Sequence, residues 1–176
     1  MAKLHMTADI SPTKPEVLEA HLGGPVEILG TYRFDDPEGE VGVEAFVVRR
    51  NGVTRHVVLT YRGALLPGAD DFLVSTMQHT ELGARWVYDG LGDPIALGCY
   101  RRALLGEQAQ ATLEAYADGV LVGTREPTVR LALTTTGATT GQPLTIATDL
   151  DEPLPAAAAR LDATWDGGQA TVATLG

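Results

Sequence analysis

Apolar and polar residues alternate from the start of the chain: Leu4, Met6, Ala8 and Ile10 against Lys3, His5, Thr7 and Asp9. A period of two predicts a first strand. A short helix follows. Thr13 is placed to cap it, and Glu16 stands three residues on, the spacing of a capping box. Pro15 falls in the first turn, where a missing N–H costs little. Val17, Leu18, His21 and Leu22 share one face. Gly23-Gly24-Pro25 ends the helix, because glycine takes the left-handed position and proline cannot continue.

Three strands are predicted next, over 26–34, 41–50 and 54–62. Asp35-Asp36-Pro37-Glu38-Gly39-Glu40 is a polar turn between the first two. Asn51-Gly52 joins the second pair, the strongest short hairpin signal, since both central residues of a type I′ turn need positive φ. Residues 63–71 read as a loop around Pro67-Gly68. Residues 80–89 read as a strand centred on Arg85-Trp86-Val87-Tyr88, broken by Gly90-Leu91-Gly92. Asp93-Pro94 then opens a second helix, with Asp as cap and proline at its first position. Its buried positions would be Leu97, Tyr100, Leu104 and Leu105, although Ile95, Leu97 and Cys99 also alternate as a strand would. Residues 108–116 fit either a longer helix or a new strand, and Gly106 favours a break.

The last third is β-type and rich in Thr and Ala. Val129, Leu131 and Leu133 alternate with polar or small residues, and 144–148 reads as the returning strand. Residues 156–159 form a turn or linker. Residues 160–165, Asp166-Gly167-Gly168 and 169–174 read as a final hairpin. The fold class is therefore α+β, an early helix followed by a meander of antiparallel strands, with a C-terminal all-β extension. The division is residues 1–106 and 107–176, the second packed into the same domain or forming its own layer.

Composition changes this picture little. The 176 residues carry a formal net charge of −10, with no run of Lys or Arg. That argues against nucleic acid and anionic membrane as partners; a protein partner or self-association remains compatible. Cys99 is the single cysteine, so no internal disulfide forms, and its apolar run makes it a small core residue. The first six residues lack the apolar stretch of a signal peptide, and no run reaches the roughly 18 apolar residues of a membrane span. A cytoplasmic location is expected.

The search for chemistry is mostly negative. Gly137 to Gly141 lacks the Lys-Ser/Thr of a phosphate-binding loop, and no kinase-type catalytic loop is found. His5, His21, His56 and His79 have no metal-ligand spacing. No cofactor, metal or catalytic residue is expected. Asp35, Asp36, Glu38 and Glu40 read as a solvated acidic turn. The informative stretch is His79 to Gly90, which mixes the Trp, Tyr and Arg that anchor interfaces and stack on sugars. Alternation sends Arg85 and Val87 to one face, Trp86 and Tyr88 to the other. Tyr61, Arg62, His79, Arg85, Trp86, Tyr88 and Asp89 are the candidates for binding a ligand or partner. The bland reading buries Trp86 and Tyr88 as core.

Leu59-Thr60-Tyr61-Arg62-Gly63-Ala64-Leu65-Leu66-Pro67-Gly68-Ala69-Asp70 resembles a stretch of the maltokinase N-terminal cap domain. So does His79 through Gly90 with Asp93-Pro94, in the same order and at the same close spacing. The turn from Asp35 to Glu44 is similar to one in stand-alone actinobacterial cap-like proteins. The resemblance covers about residues 1–106 and implies a cystatin- or monellin-like fold, a curved antiparallel sheet packed on a helix. In maltokinases this cap precedes a two-lobed kinase that phosphorylates maltose with ATP. Here β-type sequence stands from Glu107 onward, so ATP binding and sugar phosphorylation are not expected. What the resemblance implies is a non-catalytic accessory or regulatory module tied to trehalose or α-glucan metabolism. A protein binding a small sugar on the concave sheet face is the second expectation, and an unrecognised enzyme the third.

Overall fold

The computed structural model describes residues 2–5, 9–117 and 120–176. The strand expected from Leu4 to Ile10 divides between β1 (Ala2–His5) and β2 (Ile10–Ser11), which join different sheets; its middle lies outside the described residues. Helix α1 (Lys14–Leu22) starts as its capping box predicts. The Glu16 carboxylate accepts from the Thr13 N–H at 2.7 Å, and the Glu16 N–H donates back to the Thr13 hydroxyl. Gly23, at φ 79°, closes the helix.

Five strands follow: β3 (Glu27–Asp35), β4 (Gly42–Arg50), β5 (Val53–Arg62), β6 (Leu73–His79) and β7 (Gly83–Asp89). With β2 they make one strongly curled antiparallel sheet in the order β2-β6-β7-β5-β4-β3. Asn51 and Gly52 both take positive φ, 52° and 81°, as the hairpin between β4 and β5 requires. The strand expected over 80–89 begins at Gly83, because Thr80 to Leu82 form the turn from β6. Strand β6 was not foreseen. It is covered only at its far end by β2, buries Met77 alone, and so shows no alternation.

Helix α2 (Pro94–Leu104) is capped by Asp93, whose carboxylate accepts from the Ile95 N–H at 2.9 Å. Its inward face is Ala96, Cys99, Tyr100, Ala103 and Leu104; Leu97 and Leu105, expected inside, are half-buried. Small residues take the inner positions and let the helix approach closely. Cys99 is buried with them, as read from the sequence. Gly106, at φ 76°, breaks the chain, and residues 113–117 become a strand rather than more helix.

Beyond it lie β8 (Leu113–Ala117), β9 (Val120–Arg125), β10 (Arg130–Thr135), β11 (Leu144–Ile146), β12 (Ala159–Trp165) and β13 (Gly168–Leu175). β1, β8 and β9 form a small sheet with one parallel pairing. The other four strands follow the order β10-β12-β13-β11. Segment 144–148 therefore does not return against β10, because the β12–β13 hairpin inserts between them.

Two apolar clusters hold these parts together. Val17 and Leu18 of α1 meet Phe46, Val48, Val57, Leu59, Met77 and Val87 on one face of the six-stranded sheet. Tyr32, Phe34, Val43, Ala45, Val47 and Val58 on the other face join α2 and the C-terminal residues Val129, Leu161, Val172 and Leu175 in a single cluster. No helix among the described residues is long and apolar enough to cross a membrane.

The turn 35–40 is not simply solvated. Asp36 is buried, and its carboxylate accepts from the backbone N–H groups of Glu38, Glu40 and Val41. It orders the turn, as aspartate side chains commonly do.

Gly30 shows how closely the C-terminal segment docks. A Cβ there would stand 2.8 Å from a Val129 methyl and 3.2 Å from the Thr128 hydroxyl, beside the Thr31 N–H that donates to Thr128. Gly30→Ala is expected to destabilise by about 1–3 kcal/mol through overpacking. Gly141→Ala, with nothing within 4 Å, should stay within about 0.5 kcal/mol. Urea denaturation of both variants checks this; equal stabilities would refute it.

Candidate functional site

Strand β5 changes partner halfway along. Its C-terminal half pairs with β7, Leu59 to Arg62 against Asp89 to Trp86. Its N-terminal half meets the segment after β11 instead: the His56 N–H donates to Thr148 O at 3.0 Å, and the Leu150 N–H to Thr54 O at 2.9 Å. Between the two partners the sheet opens into a cavity of about 320 Å³. Its walls are the end of α1 (His21, Leu22), the β4–β5 turn with Arg50, Arg55 and His56 on β5, Asp89 and Leu91, and Ile146 to Thr148.

His56 forms the floor and is held rigidly. Its Nδ1–H donates to Ala147 O at 2.8 Å, which leaves Nε2 as the acceptor of the neutral ring. Nε2 takes the Tyr32 hydroxyl at 2.8 Å; the Tyr100 hydroxyl lies 2.6 Å from that of Tyr32. Burial drives the His56 pKa down to about 4, against the opposing bond to Ala147, and pushes both tyrosines up. The ring stays neutral and makes no use of its proton beyond this network.

Arg50 differs. One of its terminal nitrogens donates to Gly23 O at 2.6 Å, while its Nε is buried without a partner. Asp89, also on the lining, accepts from the Leu91 N–H at 2.9 Å and lies 3.9 Å from His21 Nε2. Arg55 is paired with Asp149 at 3.4 Å.

The residues nominated from the sequence scatter. Asp89 lines the cavity. Arg62 clamps Asp93 with two bonds, 2.6 and 2.7 Å, and Thr60 adds a third at 2.7 Å. Burial favours the neutral Asp93 carboxyl, but these donors and the Ile95 N–H prevail and lower its pKa. Trp86, half-buried, stands opposite Arg62 in the register; buried Tyr88 accepts from the Leu66 N–H. These three share a face, as the alternation predicts. Arg85 shares the other with Met77 and Val87. Tyr61 sits on that face too, beneath Lys14, with its hydroxyl buried near Glu44. His79 accepts from the N–H groups of Glu81 and Leu82 in the β6–β7 turn. His21, Arg50, Arg55 and His56 were not nominated. The hairpin register could have placed Arg50 near Val53, but nothing local brings residues 146–148 beside them.

Glu44 is a further buried charge, 2.6 Å from Lys14 and 3.0 Å from Arg33. Burial alone would raise its pKa, yet Arg33 and Lys14 hold it down at about 2. Among the described residues no cluster of three or more His, Cys, Asp or Glu is arranged to hold a metal ion.

Two expectations follow. His56 ionises near 4 folded and near its ordinary 6.5 unfolded. Between these values only the unfolded chain takes the proton, so stability falls as pH drops from about 6.5 to about 4, by roughly 3 kcal/mol in total. Denaturation across this range should show that loss, and His56→Gln should abolish it; an unchanged slope would refute the assignment. Arg62→Ala strands a wholly buried carboxylate and is expected to cost about 3–5 kcal/mol. Arg49→Ala, breaking an exposed pair with Glu27 at 3.8 Å, should cost less than about 1 kcal/mol.

No curated protein and no solved structure matches the chain. Residues 19–93, from within α1 to the cap of α2, match the family model of the maltokinase N-terminal cap domain, so the resemblance read from the sequence holds over that segment.

Proposed function

We propose that this protein is a non-catalytic accessory or regulatory module, cytoplasmic and tied to actinobacterial trehalose or α-glucan metabolism, that acts by binding a protein partner or a second copy of itself. The match to the maltokinase cap supports the metabolic link. The observation that carries the non-catalytic part is that four buried reactive side chains are engaged in the fold. Glu44 is neutralised by Lys14 and Arg33, Asp93 is locked by Arg62, His56 is closed between two tyrosines, and Cys99 is buried with its pKa raised. A general acid or base needs a proton it can exchange with substrate, and these groups spend theirs on packing.

A second reading is small-ligand binding, with a sugar as the natural test. It is favoured by the cavity beside β5 rather than by the sheet face, whose centre is occupied by α2 and the C-terminal strands.

The test is affinity capture from the native host at low salt, with the tagged full chain. Recovery of a trehalose- or α-glucan-pathway enzyme is expected, with no phosphate transferred from ATP to maltose by the protein alone. Failure to retain any such enzyme, or measurable phosphorylation, would sink the first reading.

A further inference from the structure

Among the described residues three buried polar atoms lack a hydrogen-bond partner, Arg50 Nε, Tyr61 Oη and Trp165 Nε1, and of these residues only Arg50 lines the cavity. Among the described residues no carboxylate pairs with Arg50. One terminal nitrogen donates to the Gly23 carbonyl, Nε is buried without a partner, and the side chain as a whole lines a space of about 320 Å³. Burying such a group uncompensated is costly. In a chain of net charge −10, a carboxylate partner would have been easy to supply. Asp89, which pairs with Leu59 near one end of β5 while Arg50 pairs with Val53 at the other, carries the reverse polarity: one of its oxygens holds the Leu91 N–H, and the other lies 3.9 Å from His21. Asn51 adds an amide at the rim and Leu22, Val57 and Ile146 add apolar surface. A volume of this size sits at the lower end of small-ligand pockets, about 300–1,000 Å³.

We propose that this cavity binds a small hydroxylated organic anion, its charged head on Arg50 and a hydroxyl donating to Asp89. A guanidinium suits phosphate and carboxylate alike, since both accept two parallel N–H bonds. An ionised aspartate can only accept, so the opposite end of the ligand must bring a donor, and a hydroxyl does so without a second charge. Arg55 is neutralised by Asp149, which leaves Arg50 as the cation on the lining without a carboxylate partner among the described residues. His21 accepts or donates beside Asp89. The proposal rests on the small-ligand reading and narrows it: a neutral sugar lacks the group that Arg50 needs.

The experiment is calorimetric titration of the full chain at low salt with glucose 6-phosphate, glucuronate, inorganic phosphate and maltose. At least one of the two hydroxylated anions should bind, and whichever binds identifies the head group. Arg50→Gln should weaken it roughly tenfold or more, as loss of a charge-assisted contact does. Asp89→Asn, which keeps an acceptor for Leu91, guards against Arg50→Gln failing to fold. It should weaken the hydroxylated anion without weakening any binding of inorganic phosphate, since a like charge is removed. Absence of binding by both hydroxylated anions, or equal affinity in the folded variants, would overturn the proposal. Binding of maltose alone would do so too while sustaining the broader small-ligand reading; silence from all four compounds would sink both. Neither result bears on whether a partner enzyme is retained.

Discussion

Six consecutive residues of β4, Val43 to Val48, are buried. A strand in a two-layer domain hides alternate residues; one hidden on both faces needs a cover on each side. That requirement organises the molecule. α1 lies over Phe46 and Val48, and α2 with the C-terminal strands lies over Val43, Ala45 and Val47. The cap-like sheet is thus the middle of a sandwich, and residues 107–176 contribute directly to the cluster on one side of it. Gly30, too close to Val129 and Thr128 to bear a side chain, marks one place where the layers touch.

Covering both faces has an electrostatic consequence. Glu44 falls within the buried run, and a carboxylate there is tolerable only with counter-charges in contact. Lys14 reaches it from the first turn of α1 and Arg33 from β3, so the pair that neutralises Glu44 also fixes where α1 starts on the sheet. Asp93 repeats the device on the other face. Its carboxylate caps α2 through Ile95 while gripping Arg62 and Thr60 on β5. Buried charges of this kind gain little over an apolar replacement, yet lose heavily when one partner is removed. They act as registration pins between helix and sheet. His56 performs the same duty without charge, joining β5 to Ala147 and to the tyrosines of β3 and α2.

Local signals carried much of this into the sequence. The capping box at Thr13, the Asn51-Gly52 turn, the Asp93-Pro94 start and the last hairpin are each short-range, and each stands where it was expected. The misses share a cause. β6 stands next to the edge, covered by β2 only at His79 and Gln78, and buries Met77 alone, so it shows no alternation. The partner of segment 144–148 was decided by a hairpin some fifteen residues further on. Asp36 looked like one of several solvated acids until the fold closed three backbone N–H groups around it. The candidate site suffered most. Trp86, Tyr88, Arg62 and Tyr61 caught attention by residue type, and most of them serve packing or pairing. The polar side chains around the cavity include His21, Arg50 and Asp89, from three elements, and only Asp89 lay in the stretch that drew notice.

What brings those three together is the divided loyalty of β5. Had β7 paired along its whole length, the sheet edge beside Val53 to Val58 would be closed and no cavity would form. Had residues 146–150 been absent, that edge would present free donors and acceptors to any passing strand. The chain instead covers the edge with its own backbone and leaves a gap only where the two partners fail to meet. The floor is a hydrogen-bonded ring network and the walls are hydrogen-bonded at Thr148, Leu91 and Gly23, the last to Arg50 itself, so the lining is tied to several different elements. A space bounded by bonds on three sides, with an arginine left short of partners inside it, is better explained by an occupant than by imperfect packing.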